Sequence, residues 1–284
     1  MQEAHGFGAS GPYDLDAFTR ANMSPNATGS ADLQAKNLHG TGYAGFNVMW
    51  TASLNITEVT NLNYTSHPAA DVITNSVISL NSHGIWANES DSGLQVQLVV
   101  FPDLPRSVTV NGQKDTGDCV TTLGEECLKD YNQLISEHIT RSEDAFRSGS
   151  NVTATATHPS PPKSCKDYLG GENVSGQLGS NFVDGSPQFY SSSTVHDANN
   201  LTAYELATTR IWPMFLIQTA TGVGGLTVRD SEASKQHLTC LRANGTAEGS
   251  IKIGKVPSGT TRYQINACGF VAICFASLVG EILW

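Results

Sequence analysis

The chain has 284 residues and a formal net charge of −10, and only 15% of its residues are charged, against about 25% in an average soluble domain. That length suits one large domain or two small ones with a buried core. The acidic balance and the absence of any run of five basic residues exclude nucleic acid as an expected partner.

Residues 1–42 are rich in Gly, Asn, Ser and Pro and have no hydrophobic period, so they predict an irregular N-terminal segment. The first 20 residues do not form a signal peptide, because they lack an apolar stretch and contain Glu3, Asp14 and Asp16. Asn-x-Ser/Thr sequons elsewhere in the chain indicate entry into the secretory pathway, which requires such a signal. We therefore expect either a removed leader or an incomplete N-terminus.

Asn-x-Ser/Thr sequons are more than twice as frequent as the composition predicts, and none lies in the apolar region after residue 264. This distribution predicts a glycoprotein of the secretory pathway. The nine sequon asparagines are Asn22, Asn26, Asn55, Asn63, Asn88, Asn151, Asn173, Asn200 and Asn244.

A β-rich extracellular domain is predicted over residues 43–260. Its clearest strand starts at Phe46, where apolar and polar residues alternate as far as Thr57. Asn55 falls on the polar side of this alternation, so a glycan there should point to water. Further strands are predicted at Val72–Leu80, Leu94–Val100, Ser107–Val110, Phe189–Val195, Thr209–Thr219, His237–Arg242 and Ser250–Ile253.

Two local signals refine this pattern. Asn111-Gly112 predicts a hairpin turn after the strand at 107–110. Pro213 predicts an edge strand or a bulge. Together the strands indicate a mainly β protein with an antiparallel β-sandwich-like domain and long irregular loops.

One helix is predicted over about residues 123–146. Thr122 and Glu125 fit a capping box, and Leu128, Tyr131 and Ile135 follow with helical spacing. The stretch 148–187 is dominated by Ser, Gly, Pro, Thr and Asn, which predicts a long loop or linker with possible O-glycosylation.

The cysteines form two groups. Cys268 and Cys274 lie in the apolar tail and are expected to stay unpaired. The other four predict two disulfides in an oxidising compartment, with three possible connectivities. We favour Cys119–Cys127 with Cys165–Cys240, although sequence alone does not decide. The chain has no Cys-x-x-Cys motif and no His that was matched to a Cys at zinc-ligand spacing, so no metal or cofactor is expected.

The apolar tail at 264–284 has three interpretations: a membrane-spanning helix, a GPI-attachment signal after Ser258 and Gly259, or a buried core segment. The absence of Lys or Arg after the run weakens the spanning interpretation. The spanning helix and the GPI-attachment signal both predict that this tail associates with a membrane.

Catalytic motifs are absent from the sequence: there is no Gly-x-Ser-x-Gly and no His-x-x-x-His. Three acidic pairs could supply a glycosidase, although solvated or capping positions explain the two later ones as well. These pairs are Asp14/Asp16, Glu125/Glu126 and Glu143/Asp144.

Two further groups of residues have the chemistry of a ligand site. Asp115, Asp118, Glu125 and Glu126 carry oxygen ligands of the kind calcium prefers, but lack the spacing of a calcium loop. Trp86, beside sequon Asn88, is the candidate for stacking on a sugar, whereas Trp50 and Trp212 fall in predicted strands and are expected in the core.

The stretch Leu94–Tyr131 resembles a group of fungal secreted or membrane-anchored glycoproteins without a known activity. The shared features are an aliphatic strand ending Val-Val-Phe-Pro-Asp-Leu104, Gly117-Asp-Cys119, and Leu-Gly-Glu-Glu-Cys127 at the start of a helix. The resemblance covers about 40 residues. It implies fold and placement only, and this chain lacks the Cys that often precedes the aliphatic strand.

These observations predict a non-enzymatic secreted or cell-surface glycoprotein with a structural or adhesive role. Cell-wall or extracellular glycans are the expected partners. The alternative is a secreted carbohydrate-active enzyme or a carbohydrate-binding module on a β scaffold. An enzyme should show two carboxylates facing a common groove, and a binding module should expose Trp86.

Overall fold

A computed structural model describes residues 15–37, 46–60, 71–84, 94–147, 160–169, 174–178, 183–220 and 238–257. The helices of this part are α1 Leu15–Asn22, α2 Arg106–Gly112, α3 Val120–Leu123, α4 Glu125–Arg147 and α5 Thr202–Thr209, with a 3₁₀ helix at Lys163–Cys165. Its strands are β1 Ala27–Asn37, β2 Phe46–Val59, β3 Asp71–Asn81, β4 Leu94–Val100, β5 Val174–Leu178, β6 Pro187–Ser192, β7 His196–Asp197, β8 Ile211–Ala220, β9 Thr239–Arg242 and β10 Gly245–Thr246.

The strands form two antiparallel sheets, as the sequence predicts for a mainly β protein. One sheet has the order β10-β1-β2-β3-β6, with β7 also paired to β3. The other has the order β5-β4-β8-β9. The alternating pattern correctly predicts β2, and β3, β4, β8 and β9 are also confirmed with small shifts in their ends.

The main core lies between the two sheets. Trp50 of β2 and Trp212 of β8 are both fully buried there, with side chains from both sheets around them. Both tryptophans were expected in the core, and this is confirmed. Phe189 of β6 packs edge-on against Trp212, with ring centroids 5.3 Å apart.

A helical layer covers the other face of the second sheet. Tyr131 and Ile135 of α4 pack on Phe215 of β8 and on Phe101, which follows β4. Strand β8 is therefore buried on both faces, which explains its nearly continuous apolar sequence. On the first sheet, α1 packs its Phe18 against Val59 and Ile73.

The two sheets meet at a corner where the chain passes from β9 into β10. Strand β9 belongs to the second sheet, and β10 pairs with the first two residues of β1. Gly29 of β1 makes this crossing possible, since a side chain there would overlap the backbone of Arg242. The Thr239 hydroxyl also donates to the Asp32 carbonyl oxygen at 3.0 Å.

The N-terminal prediction of an irregular segment at 1–42 is wrong for its described part, which contains α1 and β1. Strand β1 is built from small and polar residues with weak strand preference. It forms because all eleven of its residues pair with β2. Similarly, the predicted loop at 148–187 contains the 3₁₀ helix at Lys163–Cys165 and strand β5.

The predicted strand at Ser107–Val110 and its hairpin turn are wrong, because α2 occupies Arg106–Gly112. Extended Pro105 precedes the helix, and its carbonyl oxygen accepts the Thr109 N–H at 3.0 Å. The predicted strand at Ser250–Ile253 is also wrong, since residues 251–257 have no regular secondary structure.

Pro213 does not mark an edge strand, because β8 lies between β4 and β9. The proline is tolerated because it lies opposite Phe101, one residue beyond the end of β4. Its missing N–H therefore falls outside the β4–β8 ladder, while its carbonyl oxygen still accepts the Phe101 N–H at 2.9 Å.

The predicted helix is confirmed as α4, but its predicted cap is wrong. Thr122 lies in the separate short helix α3, and Gly124, with φ of +76°, separates the two helices. The Thr122 backbone N–H and hydroxyl both donate to Asp115. Thr122 therefore closes the preceding loop and does not cap α4.

Candidate functional site

The two disulfides join Cys119 to Cys240 and Cys127 to Cys165, so the predicted connectivity is wrong. Sheet order decides the pairing: β9 brings Cys240 next to the loop before α3, where the Cys240 N–H donates to the Gly117 carbonyl oxygen at 2.9 Å. Cys127 lies in the first turn of α4, against the 3₁₀ helix that carries Cys165. Each of these cysteines is at most 2% exposed.

Asp115 organises the loop beside the first disulfide and is itself 2% exposed. Its Oδ1 accepts the N–H groups of Gly117 and Cys119, at 2.8 and 3.1 Å. Its Oδ2 accepts the N–H and the hydroxyl of Thr122, at 2.9 and 2.7 Å. Four donors from the protein satisfy both oxygens, so Asp115 acts as an internal clamp.

The other residues considered for calcium do not gather around Asp115. Asp118, Glu125 and Glu126 are all exposed, and Asp118 accepts the Val120 N–H. Within the described ranges no group of three His, Cys, Asp or Glu side chains could hold a metal ion.

A polar cluster lies at the end of the first sheet where α5 packs. Glu58 of β2 is paired with Thr74 of β3, and the Thr74 hydroxyl lies 3.0 Å from Nε2 of His196 on β7. Burial raises the pKa of Glu58, and the positive charge of His196 partly offsets this effect. The Glu58 Oε1 is buried without a hydrogen-bond partner among the described residues.

Both ring nitrogens of His196 lie within hydrogen-bond distance of a partner. Its Nδ1 lies 3.1 Å from the Asp197 carbonyl oxygen, which only accepts, so this nitrogen carries a proton. Its Nε2 faces the Thr74 hydroxyl, which can donate to a neutral ring or accept from a protonated one. Both ring nitrogens of His196 are therefore engaged within the fold.

Tyr204 of α5 borders this cluster. Burial raises its pKa, and the negative charge of Glu58 raises it further. Its hydroxyl donates to the Ile251 carbonyl oxygen at 2.9 Å, so its proton holds the C-terminal stretch 251–257 against the domain. Arg106 holds the same stretch through the Pro257 carbonyl oxygen, at 2.8 Å.

Sequence reasoning missed Glu58 and His196 as a site. No motif in the sequence surrounds either residue. The two residues come together only through the β2–β3 and β3–β7 pairings. No short-range signal in the sequence marks that arrangement.

The opposite end of the first sheet has a second organised carboxylate. Asp184 accepts the N–H groups of Ser82 and Gly84, at 2.6 and 2.7 Å, and so holds the turn after β3. Burial alone would raise the pKa of Asp184, but these hydrogen bonds and the charge of His83 lower it overall. Trp86, the predicted sugar-stacking residue, lies outside the described residues.

The predicted catalytic pairs gain little support. Glu125 and Glu126 are exposed at the start of α4 and face solvent. The side chains of Asp14, Asp16, Glu143 and Asp144 lie outside the described part of the chain.

The sequon asparagines fall into three groups. Asn200 and Asn244 are exposed, whereas Asn22, Asn26 and Asn55 are half-buried. Asn55 does not simply point to water as predicted, because α1 packs along that face of β2, and its Nδ2 donates to the Asn22 carbonyl oxygen at 3.2 Å. The sequons outside the described residues are Asn63, Asn88, Asn151 and Asn173.

No protein-family model, curated protein or solved structure matches this chain. Among the helices of the described ranges, none combines the length and apolar character needed to cross a bilayer. The apolar tail at 264–284 lies outside those ranges, as do Cys268 and Cys274.

Proposed function

We propose that the chain is a secreted or cell-surface glycoprotein with a structural or adhesive role, and not an enzyme. One observation carries this proposal: four cysteines pair into two disulfides inside a hydrophobic cluster. Such bridges form and persist in oxidising compartments and are rare in the reducing cytosol. A chain that folds in the secretory pathway therefore best explains these two buried disulfides.

Two further features support this placement. Asn200 and Asn244 are exposed sequon residues, so glycans on them would project into solvent. The low content of charged residues fits a surface whose solubility comes from sugars. Cell-wall or extracellular glycans are the partners of this proposal, in line with the resemblance to fungal surface glycoproteins.

The apolar tail at 264–284 is proposed to hold the domain at a membrane, as a spanning helix or through a GPI anchor. Flotation of the expressed protein with vesicles tests the association. Release by a phosphatidylinositol-specific phospholipase would identify a GPI anchor, and retention after that treatment would identify a spanning helix. A full chain that stays with the soluble fraction throughout would contradict the membrane proposal.

The placement is tested on protein from a eukaryotic secretory host. Intact mass before and after glycosidase treatment should fall by several glycans. Thiol labelling under denaturing conditions, mapped by peptide, should find Cys119, Cys127, Cys165 and Cys240 blocked. Bare asparagines together with free thiols at these four positions would overturn the proposal.

A carbohydrate-active enzyme is the second candidate, because the raised pKa of Glu58 beside His196 is what a general acid needs. Most glycosidases also need a second carboxylate. The ionisable group beside Glu58 in this cluster is instead the imidazole of His196. A panel of polysaccharide substrates with the parent protein and Glu58→Gln decides. If the parent releases no sugar, or if Glu58→Gln retains full activity, this candidate is dropped.

A carbohydrate-binding module is tested separately through Trp86. Binding to a glycan array by the parent protein, lost in Trp86→Ala but kept in Trp50→Phe, would support it. Equal binding by parent and Trp86→Ala would exclude this tryptophan as the contact.

A further inference from the structure

We infer that the sequons have different roles: Asn26 is a structural residue that joins β1 to its neighbours, whereas Asn200 and Asn244 are the described positions that carry glycans. This inference rests on the proposed function, since it assumes a chain that meets the glycosylation machinery.

Asn26 uses all four of its polar groups within the fold. Its backbone N–H donates to the Ile56 carbonyl oxygen at 2.8 Å, and its carbonyl oxygen accepts the Ala247 N–H at 3.0 Å. Its side-chain Oδ1 accepts the Glu58 N–H at 2.8 Å, and its Nδ2 donates to the Ser250 hydroxyl at 3.4 Å. The residue therefore links the start of β1 to the end of β2 and to the turn after β10.

A glycan on Asn26 would be attached to the nitrogen that faces Ser250. The first sugar ring would have to occupy the space of that turn, which the Ala247 N–H bond and the Ser250 N–H bond to the Ala247 carbonyl oxygen hold in place. Occupation of Asn26 is thus in competition with folding at this corner.

Asn55 lies on β2 near Asn26, and its side-chain amide is also hydrogen-bonded within the fold. Its Nδ2 donates to the Asn22 carbonyl oxygen at 3.2 Å, at the end of α1. Thr57, the hydroxyl residue of that sequon, is only 3% exposed. The corner formed by α1, β1 and β2 is therefore built partly from sequon residues.

Asn200 and Asn244 have the opposite environment. Asn200 is exposed, and its Oδ1 accepts the Thr202 N–H at 3.2 Å, which orients the side chain without using the nitrogen. Asn244 is exposed between β9 and β10, and its backbone N–H donates to the Thr28 carbonyl oxygen at 2.9 Å. Neither Nδ2 bonds to another described residue, so a sugar can be attached there without a shift of the fold.

The first arm of the test measures site occupancy. Protein from a eukaryotic secretory host is treated with or without glycosidase in heavy-oxygen water and then digested to peptides. Release of a glycan converts its Asn to Asp that carries heavy oxygen, and mass spectrometry measures this label in each sequon peptide. Asn200 and Asn244 should carry the label and Asn26 should not. A folded, secreted protein with a glycan on Asn26, or with bare Asn200 and Asn244, would overturn the inference.

The second arm separates the structural role from glycosylation. Asn26→Gln and Thr28→Ala both destroy the same sequon, but only Asn26→Gln removes the bond to Glu58. In unglycosylated protein made in an oxidising bacterial compartment, Asn26→Gln should lower Tm by about 3–8 °C and Thr28→Ala by less than about 2 °C. Equal effects of the two variants would refute the structural role.

A third variant keeps the test decisive if Asn26→Gln does not fold. Asn26→Asp also removes the sequon but retains the acceptor for the Glu58 N–H, so it should fold and be more stable than Asn26→Gln. An Asn26→Asp protein as unstable as Asn26→Gln would contradict the role of Oδ1. If no sequon in the chain is occupied, the proposed glycoprotein fails, while the comparison with Thr28→Ala still decides the role of Asn26.

Discussion

Gly29→Ala is the most direct test of the corner that joins the two sheets. Gly29 lies where the backbone of β9 crosses the inner face of β1. An added methyl carbon would lie 2.7 Å from the Arg242 carbonyl carbon and 3.2 Å from the Ala243 Cα, and closer still to the Arg242 carbonyl oxygen. These are backbone atoms, so no side chain can rotate away and β9 must move.

The cost follows from what that movement breaks. Overpacking of this kind costs about 1–3 kcal/mol. Moving β9 also strains two hydrogen bonds, from the Asn244 N–H to Thr28 and from the Thr239 hydroxyl to Asp32. At about 0.5–1.5 kcal/mol each, the total loss is about 2–6 kcal/mol. A typical domain has only about 5–15 kcal/mol of stability.

Denaturant unfolding measures this loss, and Gly245→Ala is the matched control. At Gly245 the nearest atom to an added methyl is the Thr28 Oγ1, at 3.3 Å, and that side chain can turn. The control should change stability by less than about 1 kcal/mol. Where it fits, a Gly to Ala change stabilises by about 0.4–1 kcal/mol. Equal stability of the two variants would therefore refute the close approach of β9.

Three further changes test other parts of the fold. Asp115→Asn should lower the free energy of unfolding by about 2–4 kcal/mol, because an amide nitrogen would face the two donors of Thr122; a loss below about 0.5 kcal/mol in denaturant unfolding would contradict the clamp. Folding raises the pKa of Glu58. The contribution of Glu58 to the free energy of unfolding is therefore complete at low pH and is lost as the pH rises through the pKa of the folded state. Glu58→Gln should therefore gain in Tm relative to the parent as the pH rises from about 4 to 8, and a constant difference would contradict this. Replacing Cys119 and Cys240 together by Ser opens a link between residues 121 positions apart and should cost about 4–5 kcal/mol in thermal unfolding, whereas a loss below about 1 kcal/mol would show that the bridge adds little.

The strands that the sequence predicts well are those whose side chains face a core made of large apolar groups. In β2, Trp50, Leu54 and Ile56 alternate with polar residues, so the period of two is visible without any knowledge of partners. Strand β1 lacks this signal because its inner face carries mainly small residues, among them Ala27 and Ala35, with Leu33 as the large one. Gly29 on this face leaves room for the backbone of Arg242. The identity of β1 as a strand is set by its neighbours.

A strand was predicted in place of α2 because the local residues have a high intrinsic strand propensity. Val108 and Thr109 are β-branched and suggested a strand, but both are buried in a short helix where Pro105 sets the first turn. Intrinsic preference is a weak guide in a segment of seven residues, because packing contributes more.

The candidate site and the disulfide pairing depend on contacts that are distant in sequence. Cys240 reaches Cys119 because β9 adds to β8, and His196 reaches Thr74 because β7 adds to β3. Neither pairing has a short-range pattern. Composition correctly predicted which four cysteines form bridges, but their connectivity required the strand order.

The bridge between Cys127 and Cys165 lies wholly inside the loop that Cys119 and Cys240 close. A protease cut between residues 128 and 164 leaves the two pieces joined by both bridges, and a cut elsewhere between residues 120 and 239 leaves them joined by the outer bridge. Under non-reducing conditions such a nicked chain keeps its full mass. Cleavage in the Ser- and Pro-rich stretch 148–187 therefore leaves one covalent molecule.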